Sequence, residues 1–175
     1  MRPRFAMVTV AVAALVLLAG CSGSASPPSQ ADGDYVRDMA ISAATTMDLA
    51  DQARTRSNDP KVQSLADDVF TTMAPVADGL TELGPALAAD GAKGFAHTES
   101  EDHTNQSALR SENLRKASAK QFDGTFLRLL RAEAADGLKI AQQAQGAVTD
   151  ARTKESADSA VRTWTTLTDR LDAST

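Results

Sequence analysis

Residues 35–53, YVRDMAISAATTMDLADQA, and residues 126–144, FLRLLRAEAADGLKIAQQA, are two copies of one apolar pattern. In each copy the apolar positions are three or four residues apart, the spacing that places side chains along one side of an α-helix. A shift of 91 residues converts one stripe into the other. The two stripes are Val36, Met39, Ala43, Met47 and Ala50, and Leu127, Leu130, Ala134, Leu138 and Ala141. The pattern predicts one amphipathic helix that occurs twice.

The same shift relates the segments that follow the two copies. Asp59 and Pro60 are the residue types expected at a helix N-cap and at the first helical position. A second apolar stripe then runs from Val62 to Leu83, and its matched positions are Ala66, Val69 and Met73 against Ala157, Ala160 and Trp164. We therefore predict a duplicated helix pair. The alternative is a chance likeness, since alanine-rich helices resemble one another.

Four amphipathic helices that cannot bury their stripes alone predict an all-α four-helix bundle, either up-and-down or ferritin-like. The two helix pairs are expected at about residues 34–90 and 107–173. Between them, residues 90–106 are polar, contain two glycines and show no clean period, which indicates a long central crossover. A short helix from about Ser107 to Ser118 is expected to lead into the third main helix.

The first 21 residues, MRPRFAMVTVAVAALVLLAGC, have the layout of an export signal. Arg2 and Arg4 precede an uncharged run that is too short to span a membrane comfortably. The run ends in a sequence that resembles the bacterial lipobox, and this resemblance implies cleavage before Cys21 and lipidation of its thiol. An ordinary signal peptide or an uncleaved anchor, with Cys21 incidental, is the alternative.

These features predict a signal peptide over residues 1–20, a lipidated flexible tether over 21–33 and the bundle over 34–175. The tether is rich in serine, proline, glycine and aspartate. Cys21 is the one cysteine of the chain, so lipidation leaves no disulfide. We expect the protein to face outward from the cell membrane on this lipid anchor.

The charge of the mature chain excludes one class of partner. Without Arg2 and Arg4, 16 basic and 23 acidic residues remain, a net charge of −7. Such a surface is not expected to bind nucleic acid. The predicted partners are the membrane, through Cys21, and an unidentified envelope protein or ligand.

Three stretches of this chain resemble the two halves of the domain of unknown function family 305, a ferritin-like group of exported bacterial proteins. They are DYVRDMAISAATTMDLADQA (34–53), SNDPKVQSLADDV (57–69) and FDGTFLRLLRAEAADGLKIAQQA (122–144). The first half alone also resembles family 4142, a related exported four-helix family. The resemblance covers most of the mature chain and implies a ferritin-like scaffold.

Members of family 305 typically carry a methionine and two adjacent histidines in each half, which implies binding of copper or a similar metal. Here Met39 keeps the first methionine, but Ser42 and Ala43 occupy the histidine positions. In the second half these positions hold Glu133 and Ala134. The chain is thus similar to a degenerate member without the paired histidines, and we expect a dry interior filled with aliphatic side chains.

Two histidines, His97 and His103, remain as candidate metal ligands in the acidic segment AHTESEDH (96–103). A solvated connector is the simpler interpretation, so no metal or cofactor is predicted. The alternative function is an envelope copper or zinc protein that uses these histidines, neighbouring acids and Met39 or Met47.

Glu133 lies at the edge of an inward stripe, and we expect its carboxylate to reach solvent. Arg37 and Arg128 are its candidate partners if it is buried. No catalytic serine or phosphate-binding glycine motif occurs in a supporting context, so an enzyme is not predicted. The sequence instead predicts a lipid-anchored envelope lipoprotein whose bundle serves as a binding or interaction module.

Overall fold

The computed structural model describes residues 27–91 and 98–173, which form five α-helices and no strand. The helices are α1 (Gln30–Arg56), α2 (Pro60–Ala89), α3 (Thr98–Lys116), α4 (Phe122–Ala147) and α5 (Ala151–Ala173). The predicted all-α bundle is confirmed, with four long helices and a fifth helix in the crossover. None of the helices in the described part combines the length and hydropathy needed to cross a bilayer. Residues 1–20 and Cys21 lie outside the described residues.

The turn within the first helix pair and the turn within the second lie at positions that differ by the predicted 91 residues. α1 ends at Arg56 and α4 at Ala147, while α2 begins at Pro60 and α5 at Ala151. The turns are capped alike: the Asp59 carboxylate accepts the backbone N–H of Lys61 at 2.8 Å, and the Asp150 carboxylate accepts that of Arg152 at 3.0 Å. Matched boundaries and matched caps support a true internal repeat.

The four long helices are arranged with α1 beside α2 and α4, and α5 beside α4 and α2. Helix α3 packs on α1 and α4, so it covers the α1–α4 side of the bundle. On the opposite side, α2 and α5 approach each other less closely than the other neighbouring pairs of long helices. The α1–α4 side of the bundle is therefore covered by α3, and the opposite α2–α5 side is more open.

The predicted stripes form the core, in which the indole of Trp164 packs against Gly137. Trp164 is fully buried, and its indole N–H donates to the sulfur of Met39 at 3.1 Å. An ideal Cβ at Gly137 would lie 2.5 Å from the indole ring, so only glycine lets the two helices approach this closely. Leu130, at the position equivalent to Met39 in the second copy, is likewise fully buried.

Helix α3 is longer than predicted: it begins at Thr98, nine residues before Ser107. The long crossover between the helix pairs is therefore helical from Thr98 onward, which the lack of a clean period over residues 90–106 did not indicate. The sequence of α3 shows no apolar period because the helix is attached mainly through polar groups. Leu114 is its fully buried apolar side chain. Its contacts with α1 run in parallel order: His103 with Ser42, Ser111 with Gln52, and Leu114 with Arg56.

Helix α1 begins at Gln30 rather than near residue 34, so the last part of the predicted tether belongs to the bundle. Ser29 and Asp32 form a capping box, in which each side chain bonds the backbone N–H of the other residue. The Asp32 carboxylate is fully buried and also accepts the backbone N–H groups of Thr149 and Asp150, both at 3.0 Å. This contact, the Asp32 latch, ties the start of α1 to the α4–α5 turn.

Candidate functional site

Of the four positions at which the resemblance placed histidines, Ser42 and Glu133 are polar, and both contact α3. Ser42 is fully buried, and its hydroxyl lies 3.1 Å from Nε2 of His103. This pair has the residue types of a nucleophile and its base. Because Ser42 is completely covered, however, no substrate carbonyl reaches its hydroxyl in this arrangement.

Glu133 is fully buried, so the expectation that it reaches solvent is wrong. Its partner is Arg110 on α3, which donates to Glu133 at 2.6 Å and to the half-buried Asp136 at 2.5 Å. Neither of the expected partners takes this role: Arg37 pairs with neighbouring aspartates of α1, and Arg128 is exposed. Glu133 is buried where α3 packs on α1 and α4, a contact that the sequence pattern does not predict.

The electrostatics of this cluster favour the charged state of the arginine. Burial alone would lower the pKa of Arg110. The hydrogen bonds and negative charges of Glu133 and Asp136 outweigh this effect, and they raise the pKa of Arg110 above its ordinary value. The buried carboxylate and α3 are thus joined by a charge-assisted hydrogen bond.

The buried oxygens without a hydrogen-bond partner at this junction include Thr46 Oγ1, Ser107 Oγ and Glu133 Oε1. Each comes from a different helix, α1, α3 or α4. A buried polar atom without a partner typically costs about 1–3 kcal/mol. The interior is therefore polar at this point, and the expectation that it is filled with aliphatic side chains is wrong here.

The second candidate site is a groove of about 770 Å³ between α2 and α5. Its floor is apolar and includes Val76, Leu83 and Ala160. Small residues such as Gly79 and Ser159 widen it, because they leave space between the helix backbones. The lining from Thr72 to Ala86 on α2 corresponds to roughly 20 Å of helix.

Acidic side chains dominate the accessible charge of this groove. Glu82 and Glu155 are exposed residues of its lining. The one basic residue among the lining residues, Arg152, already donates to Asp90 at 2.6 Å and to Asp150 at 3.0 Å. The groove consequently presents an apolar floor and an acidic rim.

The groove is connected to the first turn and a half of α1. Ser156 lines the groove, and its hydroxyl lies 3.1 Å from the phenol oxygen of Tyr35. Burial raises the pKa of Tyr35 to about 12, so this phenol stays neutral at physiological pH. One end of the groove therefore lies at the end of the bundle where α1 begins.

A sequence profile described as "Domain of unknown function (DUF4142)" matches residues 19–173. The chain belongs to the DUF4142 family. Of the two resemblances noted in the sequence, the second is thus the family of the chain, and it covers both halves rather than the first half alone. No curated protein matches this DUF4142 chain.

Among solved structures, this DUF4142 chain is similar to a DUF305 fragment from Deinococcus radiodurans. The TM-score is 0.67 at 18% sequence identity, and the match covers 84% of this chain and 96% of that fragment. At this identity the similarity shows the fold alone. The resemblance to family 305 therefore holds for the ferritin-like helical scaffold of the DUF4142 chain.

The described residues of this DUF4142 protein contain no group of three or more His, Cys, Asp or Glu side chains that could hold a metal ion. The candidate ligands of the copper or zinc alternative are dispersed: His103 contacts Ser42, and the sulfur of Met39 accepts the Trp164 N–H. Met47 packs, partly buried, against the core. His97 lies outside the described residues.

Proposed function

We propose that this protein is a lipid-anchored protein of the cell envelope that binds a helical segment of another envelope protein in the groove between α2 and α5. The observation that carries the proposal is the groove itself. It is an open apolar depression on the side of the bundle opposite α3. Binding requires no catalytic group, and the proposal assigns none.

The chemistry of the groove favours a particular partner. Two helices with small residues between them accept a third helix, whose larger side chains fill the space. The apolar floor requires an apolar stripe on the partner, and the rim formed by Glu82 and Glu155 favours basic residues beside that stripe. We therefore propose an amphipathic helix with lysine or arginine along its edges.

The lipid anchor is supported by the order of residues before the bundle. Cys21 follows the charged and apolar segments of an export signal, and α1 begins nine residues later at Gln30. Nine residues span at most about 30 Å. The bundle would then stand close to the membrane, with the Tyr35 end of the groove on the anchored side.

We expect Cys21→Ala to release the protein from the membrane, because lipidation requires the thiol of this residue. The measurement is the fraction of protein that sediments with membranes after cell lysis, together with metabolic labelling by a fatty acid. Cys21→Ser is a second variant that removes the thiol with little change of size. Full membrane retention of both variants would contradict the anchor.

We expect large side chains in the groove to reduce partner binding about tenfold or more, since they occupy the space of the partner helix. Gly79→Trp and Ser159→Trp fill the groove, and a Cβ at Gly79 meets no atom within 4 Å. Thr165→Trp, on an exposed position of α5, is the matched control.

The readout is photo-crosslinking in intact cells from a photoreactive residue at Thr72, in the groove lining, or at Thr165. A partner adduct that forms from Thr72, not from Thr165, and is lost with Gly79→Trp supports the proposal. Identical adducts from both positions, or an adduct that persists in both groove variants, would exclude the groove as the binding surface.

A further inference from the structure

The junction of α1, α3 and α4 contains buried oxygens that the fold does not use. Thr46, Ser107 and Glu133 have exposed fractions of 0%, 2% and 0%, yet each has a side-chain oxygen without a hydrogen-bond partner. Buried polar atoms are nearly always satisfied by protein, water or an ion. Three such atoms on three helices therefore indicate a site rather than an isolated defect.

Helix geometry places the three oxygens at one level of the bundle. α1 and α3 run parallel, and Ser42 contacts His103 at 3.1 Å. Thr46 and Ser107 follow these two residues by four positions each, so each lies one helical turn further along the same face. Glu133 is brought to the same level by Arg110, which is one turn beyond Ser107 and donates to Glu133 at 2.6 Å.

The hydroxyl of Thr46 behaves differently from that of its neighbour in the chain. Thr45 donates to the carbonyl of Ile41 at 2.8 Å, the usual way for a helical threonine to satisfy its hydroxyl. Thr46 is fully buried but makes no such bond. Its hydroxyl is thus available to a group between the helices.

The junction also has an excess of one negative charge. Glu133 and Asp136 share the single guanidinium of Arg110, which bonds one oxygen of each carboxylate. The second oxygen of Glu133 has no hydrogen-bond donor. A buried negative charge is stabilised by a cation that its oxygens can coordinate.

We infer that this junction binds one small monovalent cation, of the class of Na⁺, K⁺ or NH₄⁺, between Thr46 Oγ1, Ser107 Oγ and Glu133 Oε1. The donor set consists of oxygen alone, which suits hard cations rather than copper or zinc. The excess of a single charge matches a monovalent ion. The cation joins α3 to α1 and α4, so its binding stabilises the covered side of the bundle.

The test is thermal unfolding of the protein, residues 22–175, at about pH 8, where an ordinary histidine is uncharged. The protein is dialysed into tetramethylammonium chloride, whose cation is too large for the site. NaCl, KCl or NH₄Cl then replaces that salt at constant ionic strength. For at least one small cation we expect the Tm to rise by about 2–5 °C for each tenfold increase above its Kd.

Substitutions at the three proposed ligands test whether the cation acts on the Tm through this junction. Glu133→Gln removes the charge, and Thr46→Val or Ser107→Ala removes one ligand, so each should abolish or weaken the dependence on the cation. Thr45→Val is the matched control, because its hydroxyl is already bonded, and it should keep the full dependence. The slope against cation concentration is compared within each folded variant, so a general loss of stability does not imitate the result.

A direct measurement covers the case in which a variant does not fold. The sodium NMR linewidth should broaden in the presence of the wild-type protein and sharpen when KCl competes for the site. The same Tm in all four salts, with no broadening, means that only an ordered water fills the junction, and it overturns the inference. A full cation response in Glu133→Gln also overturns it, because the ion then binds elsewhere.

Discussion

Arg110→Ala is expected to lower the free energy of unfolding by about 3–5 kcal/mol, because it leaves the carboxylate of Glu133 buried without a counter-charge. Urea denaturation followed by circular dichroism measures this loss. Hydrogen exchange should accelerate first in α3, which Arg110 attaches to α4. The exposed Arg115 of the same helix pairs with Glu112, and Arg115→Ala should change stability by no more than about 0.5 kcal/mol.

A double variant separates the lost charge pair from a general defect in packing. Arg110→Met with Glu133→Leu removes both buried charges and keeps similar volume, so it should recover most of the stability lost in Arg110→Ala. A loss below about 1 kcal/mol in Arg110→Ala, without faster exchange in α3, would show that Glu133 does not depend on this arginine.

Asp32→Asn is expected to destabilise the bundle by about 2 kcal/mol or more near neutral pH. Burial would raise the pKa of Asp32, but hydrogen bonds from Ser29, Asp150 and Thr149 outweigh it and lower the pKa to about 2. The value in the unfolded chain is the ordinary 3.8. The difference corresponds to about 2 kcal/mol of stability.

The direction of the pH dependence follows from these two values. Because the pKa is lower in the folded protein, the Asp32 contribution is fully present above about pH 4 and is lost as the pH falls through about 2. The stability difference between wild type and Asp32→Asn should therefore shrink by about 2 kcal/mol between pH 6 and pH 1.5. Asp51→Asn, at an exposed position of the same helix, should show no such convergence.

The parts of the fold that follow from apolar periodicity could be predicted from the sequence. Val69 and Met73 lie one helical turn apart in the stripe of α2, and Trp164 lies in the matching stripe of α5. Each of the three is buried. Of α3 only the part from about Ser107 was predicted, because most of its described side chains contact solvent or polar groups and Leu114 alone gives no period from which its start at Thr98 could be found. The packing of α3 on α1 and α4 was not predicted either, and it is Arg110 of α3 that bonds the buried Glu133.

The candidate site was visible in the sequence only as an anomaly. A glutamate at position 133 lies at the edge of an apolar stripe, and a serine at position 42 occupies the equivalent position beside the stripe of the first copy. Of their long-range partners, His103 comes from the segment without a clean period, and Arg110 comes from the short helix predicted after it. Spacing along one helix carries no information about such contacts, so the sequence gives no means of choosing Arg110 over Arg37 or Arg128.

The Asp32 latch determines how a mechanical load on the amino terminus is distributed. A force applied to the chain before Ser29 acts first on the start of α1. There the Asp32 carboxylate accepts the backbone N–H groups of Thr149 and Asp150. The force is therefore transmitted at once to the α4–α5 turn, and the latch opposes unfolding of α1 turn by turn from its first residue. A domain tethered at this end resists unravelling as a single block.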